Sequence, residues 1–393
     1  MVRDLSLRLL SFLLVGYACY AMFRMSIGVM LPEIANDFSL LEVQSGALIS
    51  SLFFGMMMTM GIAGYLSDRL GRTIASAVGL FLMSIGLLLT GYSNSYLNAL
   101  GSVFIVGLGV GVFTSSLYAV MGEVIPKSRG LLVGVANGCY AFGGFIGPWL
   151  TGSILSYYGW RIPLYIFGLA GIPIIVGLWF SGMRTSPKPT RSPREKVTKT
   201  SEMLKTRTVL IVSTALLSGN IGFGSFASWA PTFLSSVDGL DITQTGLAVG
   251  IWALTGGAGA MVLGWLSDRS SRKAVILGSG ICAAVLAYFY FMSVNSFLII
   301  AGLSAAFGFT AYAYWSLLIS LAQDTVELAS IGSVTGLVQN VSIVGSIIAP
   351  VMAATLIAAL GVTWAMIASV SIPYLVIAIL VLASEEAPIE APQ

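Results

Sequence analysis

The chain has 393 residues, of which 57% are apolar and 9% charged, with a net charge of +3 and a mean hydropathy of +0.93. A soluble domain carries about a quarter charged residues and has no means of hiding this much apolar surface from water. Secreted, disordered and nucleic-acid-binding classes are excluded, which leaves a polytopic helical membrane protein. At about 20 apolar residues per helical span, twelve spans with short loops fit the length. There is no histidine, so an imidazole proton relay and a histidine metal site are both absent. Cys19, Cys139 and Cys282 fall inside apolar runs and suggest no disulfide framework.

The first apolar run, 8–31, lacks a small-residue cleavage site and is followed at once by others, so it reads as a first span and not a signal peptide. Its spacing puts Tyr17, Tyr20 and Arg24 on one helix face. Arg24 is the only basic residue within the apolar part of any span. At about 1.5 Å per residue it lies about 24 Å in from the start of the span. An arginine at that depth costs several kcal/mol unless it faces a cavity or a partner. No Asp or Glu lies mid-span to serve as one. An external anion is the simplest counter-ion, because a guanidinium holds a carboxylate or phosphate through two parallel hydrogen bonds. The alternatives are an arginine bonded to backbone carbonyls or one that snorkels outward.

Spans at 44–64, 73–92, 97–121, 131–155 and 160–182 complete a first group of six. The loop after span 2 reads Gly64-Tyr-Leu-Ser-Asp68-Arg69-Leu-Gly71-Arg72. Span 4 carries Tyr118 and runs into Glu123-Val-Ile-Pro126-Lys-Ser-Arg129-Gly130. Span 5 carries Asn137, Tyr140 and Gly143-x-x-x-Gly147-Pro148. Residues 183–206, rich in Pro, Ser, Thr and base, read as a solvated linker. Six more spans follow at 207–235, 243–264, 274–294, 296–322, 331–358 and 360–383. The expected organisation is a first bundle over 1–182, a cytoplasmic linker over 183–206 and a second bundle over 207–393.

Apart from Arg24 and Arg161, the 19 Lys and Arg lie at the N-terminus, in the linker, or after spans 2, 4 and 8. The opposite loops hold Glu33, Asp37, Glu42, Asp238 and Asp241. The positive-inside rule then places both termini and the linker in the cytoplasm, as expected of a multi-pass plasma-membrane protein.

An internal repeat runs through the chain. After span 8 the sequence Gly264-Trp-Leu-Ser-Asp268-Arg269-Ser-Ser-Arg272-Lys273 repeats the stretch after span 2, 200 residues later. Spans 5 and 11 match at an offset of 202, pairing Gly134 with Gly336, Asn137 with Gln339, Gly143 with Gly345 and Pro148 with Pro350. Parallel halves of six helices suit a transporter that rocks about a central site.

The two repeated motifs, the end of span 4 and the glycine-proline run of span 5 resemble those of the major facilitator superfamily (MFS). The run from Gly16 to Arg24, followed by Pro32, resembles span 1 of its organic-anion (anion:cation symporter) and organophosphate branches. The resemblance implies an all-α membrane fold of twelve transmembrane helices in two pseudo-symmetric six-helix bundles. It implies that Arg24 binds the substrate anion. It also implies a cytoplasmic gate, with Asp68 near the start of span 11, around Ser330, and Asp268 near the start of span 5. The expected gate set is Gly64, Asp68, Arg69, Gly71, Arg72, Glu123 and Arg129 in the first half, and Gly264, Asp268, Arg269, Arg272, Asp324 and Glu327 in the second. As plain solvated charges, each would contribute under about 1 kcal/mol. The glycine-proline runs are expected to serve tight helix packing and bending.

Two departures narrow the substrate. The organophosphate branch carries a second arginine in span 7, where the offset of 200 lands on Gly224, beside Phe223. One arginine neutralises a doubly charged phosphate ester poorly, so a monocarboxylate-sized anion is expected. Proton-coupled members place a carboxylate inside span 4, where this chain reads Gly-Leu-Gly-Val-Gly-Val-Phe-Thr114. That absence argues against proton symport, though the substrate itself could carry the proton; a proton or a counter-anion is the candidate coupling partner.

Other mid-span polar and aromatic groups are candidates for the same cavity: Tyr17 and Tyr20, Asn137 and Tyr140, Asn220, Trp252, Tyr312 and Trp315, and Gln339 and Asn340. Amides in lipid need partners and should face the interior, where helix-to-helix hydrogen bonding is the competing role. The expected function is a secondary active or facilitative transporter of a small organic anion, working as a monomer by alternating access. No cofactor, metal or nucleic acid is implied. The absence of a nucleophile-base pair and of a phosphate-binding loop argues against an enzyme and against ATP drive. The alternative is an efflux antiporter for hydrophobic compounds with an adaptable pocket of Met and aromatic residues. A lone arginine with no interior acid fits cationic drugs poorly.

Overall fold

The computed structural model describes residues 2–124, 129–180, 206–292, 296–326 and 331–384. Most of the expected linker, 183–205, lies outside them, as do Pro126, Glu327 and Ser330. The first six helices are α1 (Val2–Asp37), α2 (Glu42–Leu70), α3 (Arg72–Tyr92), α4 (Tyr96–Val124), α5 (Arg129–Tyr158) and α6 (Arg161–Phe180). The second six are α7 (Arg207–Ser236), α8 (Ile242–Arg269), α9 (Arg272–Met292), α10 (Phe297–Gln323), α11 (Ile331–Leu360) and α12 (Val362–Leu382). Among the described residues, eleven of these are long and apolar enough to cross a membrane. α5, of 30 residues, matches them in length.

Hydrocarbon offers the backbone no hydrogen bonds, so helices that satisfy their own amides are the stable form for these runs. Hydroxyls along them bond back to the preceding turn, as Thr90 does to the Gly86 carbonyl (2.8 Å) and Ser213 to that of Val209 (2.7 Å). Several helices outrun their apolar segments. The motif after span 2, expected as a loop, continues α2 to Leu70, and a single residue, Gly71 (φ 90°), turns the chain into α3. That left-handed backbone favours glycine. α8 likewise runs to Arg269. α10 is interrupted at Tyr312, and α12 contains one wide π turn, Ile367–Ser371. Pro373 explains the latter: it has no N–H to offer the Ser369 carbonyl, so the turn before it widens.

The two groups of six meet chiefly along three pairs, α1 with α7, α2 with α11 and α5 with α8, with a smaller contact of α1 with α8. Contact runs from one end to about mid-helix, where Gly257 lies against Ala141. On the α5–α8 seam, Thr243 Oγ1 donates to the Gly152 carbonyl (3.4 Å), Gly246 lies against the Pro148 carbonyl and Gly250 against that of Phe145. On the α2–α11 seam, a methyl at Gly46 would sit 2.6 Å from the Pro350 carbonyl, and Ser50 Oγ donates to the Ile347 carbonyl (2.7 Å). Further along the same faces the halves separate. A methyl at Gly134, Gly138, Gly264 or Gly336 would meet no atom within 4 Å. The halves are therefore closed at the face carrying Asp37, Asp238 and Asp241, and open at the face carrying Arg72, Arg269 and Arg272. These are called the acidic and basic faces below.

Candidate functional site

Arg24 lies between the halves, where the acidic-face seams end and the opening begins. Its guanidinium stands 5.0 Å from the ring centre of Phe53 on α2, 6.0 Å from Tyr140 on α5 and 5.3 Å from Phe223 on α7. Such contacts are worth about 0.5–2 kcal/mol each, less than the cost of burying the charge. Its one side-chain hydrogen bond among the described residues is a long one, from Nη1 to the Tyr20 hydroxyl at 3.4 Å. No carboxylate pairs with it there. Tyr140 feels the arginine's charge, but its hydroxyl makes no hydrogen bond of good geometry.

Tyrosines form the first-half wall. Tyr17 packs on Tyr20 (6.1 Å) and on Tyr140 (5.2 Å), and its hydroxyl shares a hydrogen bond with that of Tyr118 (3.2 Å). The second-half wall is aromatic too. Phe223, Trp252 and Tyr312 lie 4.9–5.0 Å apart, ring centre to ring centre. The Tyr312 hydroxyl and the Trp252 indole N–H are buried without hydrogen-bond partners. Arg24, Tyr20, Tyr140 and Tyr312 thus converge with spare donors and, among the described residues, no acid.

The amides divide. Asn220 is engaged at both ends: its Nδ2 donates to the Ser342 carbonyl (2.8 Å) and its Oδ1 accepts from Tyr314 (2.9 Å). These bonds tie α7 to α11 and α10. Asn220→Ala would leave a phenol and a carbonyl unpaired, at a cost of about 1–3 kcal/mol. The expected readout is a thermal midpoint in detergent lowered by several degrees. Asn137 and Gln339 are half-buried and Asn340 is exposed; no side-chain hydrogen bond is made by them among the described residues. Trp315 packs at the margin of the apolar core. Phe53, Phe223 and Tyr314 belong to this site but were not among the residues expected from sequence. An aromatic in an apolar span gives no signal of its own until the helices are assembled.

On the basic face, the arginines opening α3 and α9 brace their own halves. Arg72 Nη1 donates to the Ala119 carbonyl on α4 (2.6 Å). Its repeat counterpart Arg272 bonds Asp324 on α10 (2.9 Å) and Asp268 on α8 (3.3 Å). Arg269 stacks over Trp265 at 4.3 Å. Among the described residues Asp268 is paired within its own half; the first side chains of α5, its expected partner, lie outside those described. Gly71 forms the α2–α3 turn, and Gly264 lies on the open α8 face. The side chains of Asp68, Arg69, Glu123 and Arg129, and the surroundings of Gly64, lie outside those described.

Comparison with known proteins agrees with this architecture. The family described as Major Facilitator Superfamily matches residues 13–350 and 239–393. A hexuronate transporter of Bacillus subtilis (strain 168) is 25% identical over 354 residues, 84% of this chain and 82% of its own. A gallate transporter of Pseudomonas putida is 22% identical, covering 71% and 70%. The crystal structure of a bacterial homologue of the human lysosomal transporter Spinster, inward-facing and unoccupied, matches with a TM-score of 0.83 at 18% identity, covering 98% of this chain and 99% of that one. At that identity the structural likeness speaks for the fold alone. The chain is a multi-pass membrane transporter, not an enzyme, and belongs to the Major Facilitator Superfamily.

Proposed function

We propose that this transporter moves a small organic monocarboxylate across the plasma membrane by alternating access, with Arg24 holding the carboxylate. The observation that carries the reading is a guanidinium set between both halves, with one long hydrogen bond to Tyr20 and no acid partner among the described residues. A substrate carboxylate would supply the missing charge and take two of its donors. Tyr140 and Tyr312 have hydroxyls free to donate to the same anion. Phe53 and Tyr140 come from one half and Phe223 from the other, so an anion bound here touches both. Two relatives are named for organic acids, hexuronate and gallate, in keeping with an anionic cargo.

With the basic face, both termini and the linker in the cytoplasm, the arrangement described above is inward-facing. Asp68 and Asp268 then serve the state in which this face is closed. Asp68→Asn is expected to cut transport at least tenfold, the order of a lost charge-assisted hydrogen bond, with unchanged expression and thermal midpoint. An unchanged rate would remove the gate role.

The test of the function is uptake into proteoliposomes of labelled lactate, sugar acids and aromatic acids, compared with cationic dyes. Saturable uptake of a monocarboxylate is expected, with a monomer as the active unit. Varying the internal counter-anion and the pH gradient separates exchange from proton coupling. Dye transport with no competition by any anion would overturn the reading.

A further inference from the structure

The acidic-face loop between α7 and α8 holds a carboxyl that no described residue neutralises. Asp238 is 4% exposed, and its Oδ2 is buried with no hydrogen-bond partner. Among the described residues it makes no ion pair. The titratable side chain its charge reaches on a neighbouring helix is Tyr290 of α9, a neutral phenol that accepts a hydrogen bond from Ser304 of α10 (3.3 Å). On its own loop, Asp241 caps α8 by accepting from the Gln244 N–H (2.8 Å).

The internal repeat shows what is missing. The offset of 200 that pairs Gly64 with Gly264 also pairs Gln44 with Gln244 and sets Phe38 opposite Asp238. In the first half Phe38 packs edge-on against Trp160 (5.7 Å, 71°). The acid of that loop, Asp37, is ion-paired with Arg161 (2.8 Å) and accepts from Trp160 Nε1 (3.2 Å). Gly159 and Gly361, both left-handed (φ 74° and 77°), align α6 with α12. Across that alignment Trp160 and Arg161 become Val362 and Thr363. The second half therefore puts a carboxyl where the first half has a phenyl ring, and it lacks the arginine and indole that serve Asp37. Burial without compensation pushes the Asp238 carboxyl from an ordinary 3.8 up to about 6.

The loop is tied to a moving surface. A few residues on, α8 enters the acidic-face seam, where Thr243 meets Gly152 and Ser156 (3.4 Å each) and Gly246 meets Pro148. These contacts must part when the acidic face opens.

We propose that Asp238 is a proton-binding site on the acidic face, filled while that face is closed and emptied as it opens. The carboxylate takes one proton from water on that side, and no other bond changes. The neutral acid suits the buried place and the anion suits water. The closed arrangement is therefore favoured as pH falls through about 6 and loses that advantage as pH rises. Between about pH 5 and about pH 7.5 the closed-to-open ratio should change about tenfold. Acid on this side would thus bias the carrier toward opening at its basic face, whatever ligand Arg24 holds.

The test uses the full chain in lipid nanodiscs with Cys19, Cys139 and Cys282 replaced by serine. Spin labels at Leu41 and Leu360, exposed residues at the acidic-face ends of opposite halves, report closure by pulsed electron resonance. The short-distance population should grow as pH falls, with a midpoint near about 6. In Asp238→Asn it should stay high at every pH. In the unlabelled protein, infrared difference spectra should show a protonated-carboxyl band titrating over the same range and missing from Asp238→Asn. Asp238→Glu, which keeps an acid in place, should retain the titration should the asparagine variant not fold. A wild-type distance distribution that ignores pH overturns the proposal, as does a carboxyl band or pH response that persists in Asp238→Asn.

Discussion

Arg24→Ala should abolish anion uptake, lowering the initial rate in proteoliposomes by about a hundredfold or more. Truncating one member of a desolvated, hydrogen-bonded charge pair costs about 2–5 kcal/mol, and a rate that depends on occupancy falls with it. Stability should move the other way or not at all. The protein without cargo bears a half-buried cation whose described partners are aromatic rings and one long bond to Tyr20. Removing such a charge relieves a desolvation penalty. An unchanged or raised thermal midpoint therefore separates loss of binding from loss of fold. Arg24→Lys keeps the charge but loses the planar fork that grips two oxygens at once, and should retain a small fraction of the rate. A lysine variant indistinguishable from wild type would mean that the guanidinium contributes charge alone.

The second large effect concerns the rocking itself, and the α5–α8 seam offers opposite interventions on one helix face. Gly246 lies against the Pro148 carbonyl, so Gly246→Leu drives a side chain into a backbone that has no room to yield. The acidic face should then fail to close, holding the protein open on that side. Gly264, further along the same face of α8, meets nothing within 4 Å in the present arrangement. Gly264→Leu should leave this arrangement intact and obstruct only the state in which the basic face closes. Both variants should lose transport, about tenfold or more by the overpacking cost of about 1–3 kcal/mol, and they should bias the acidic-face distance between Leu41 and Leu360 in opposite directions. Equal shifts in the same direction would contradict rigid-body rocking about these seams.

The sequence made much of the architecture legible because lipid leaves so few choices. Twelve apolar runs in two parallel sets led directly to twelve helices in two groups of six, and the family match supports that arrangement. Helix ends were harder to place. Apolar length marks what lies in hydrocarbon, but helices continue into the aqueous face, as α2 does through Asp68 and Arg69 to Gly71. The π turn of α12 was knowable in principle from Pro373, though the choice between a kink and a widened turn depends on neighbouring helices. Within the site, the shared face of Tyr17, Tyr20 and Arg24 could be read from spacing on a single helix. Phe53 and Phe223 could not, since their contact with Arg24 arises from two other helices of opposite halves. Asn220 could equally have faced the cavity or a neighbouring helix, and its amide turns out bonded at both ends within its own half. Asp238 looked like one more loop acid; its burial and its want of an ion pair among the described residues set it apart from Asp37.

Equilibrium calorimetry on the purified protein tests most directly whether Arg24 holds the cargo. The monocarboxylate with the highest uptake in the proteoliposome panel would be titrated into wild type and Arg24→Ala under identical conditions. A saturable binding heat in wild type that disappears in Arg24→Ala, with thermal unfolding preserved, is the predicted result. Binding of that anion to Arg24→Ala with wild-type affinity would contradict it.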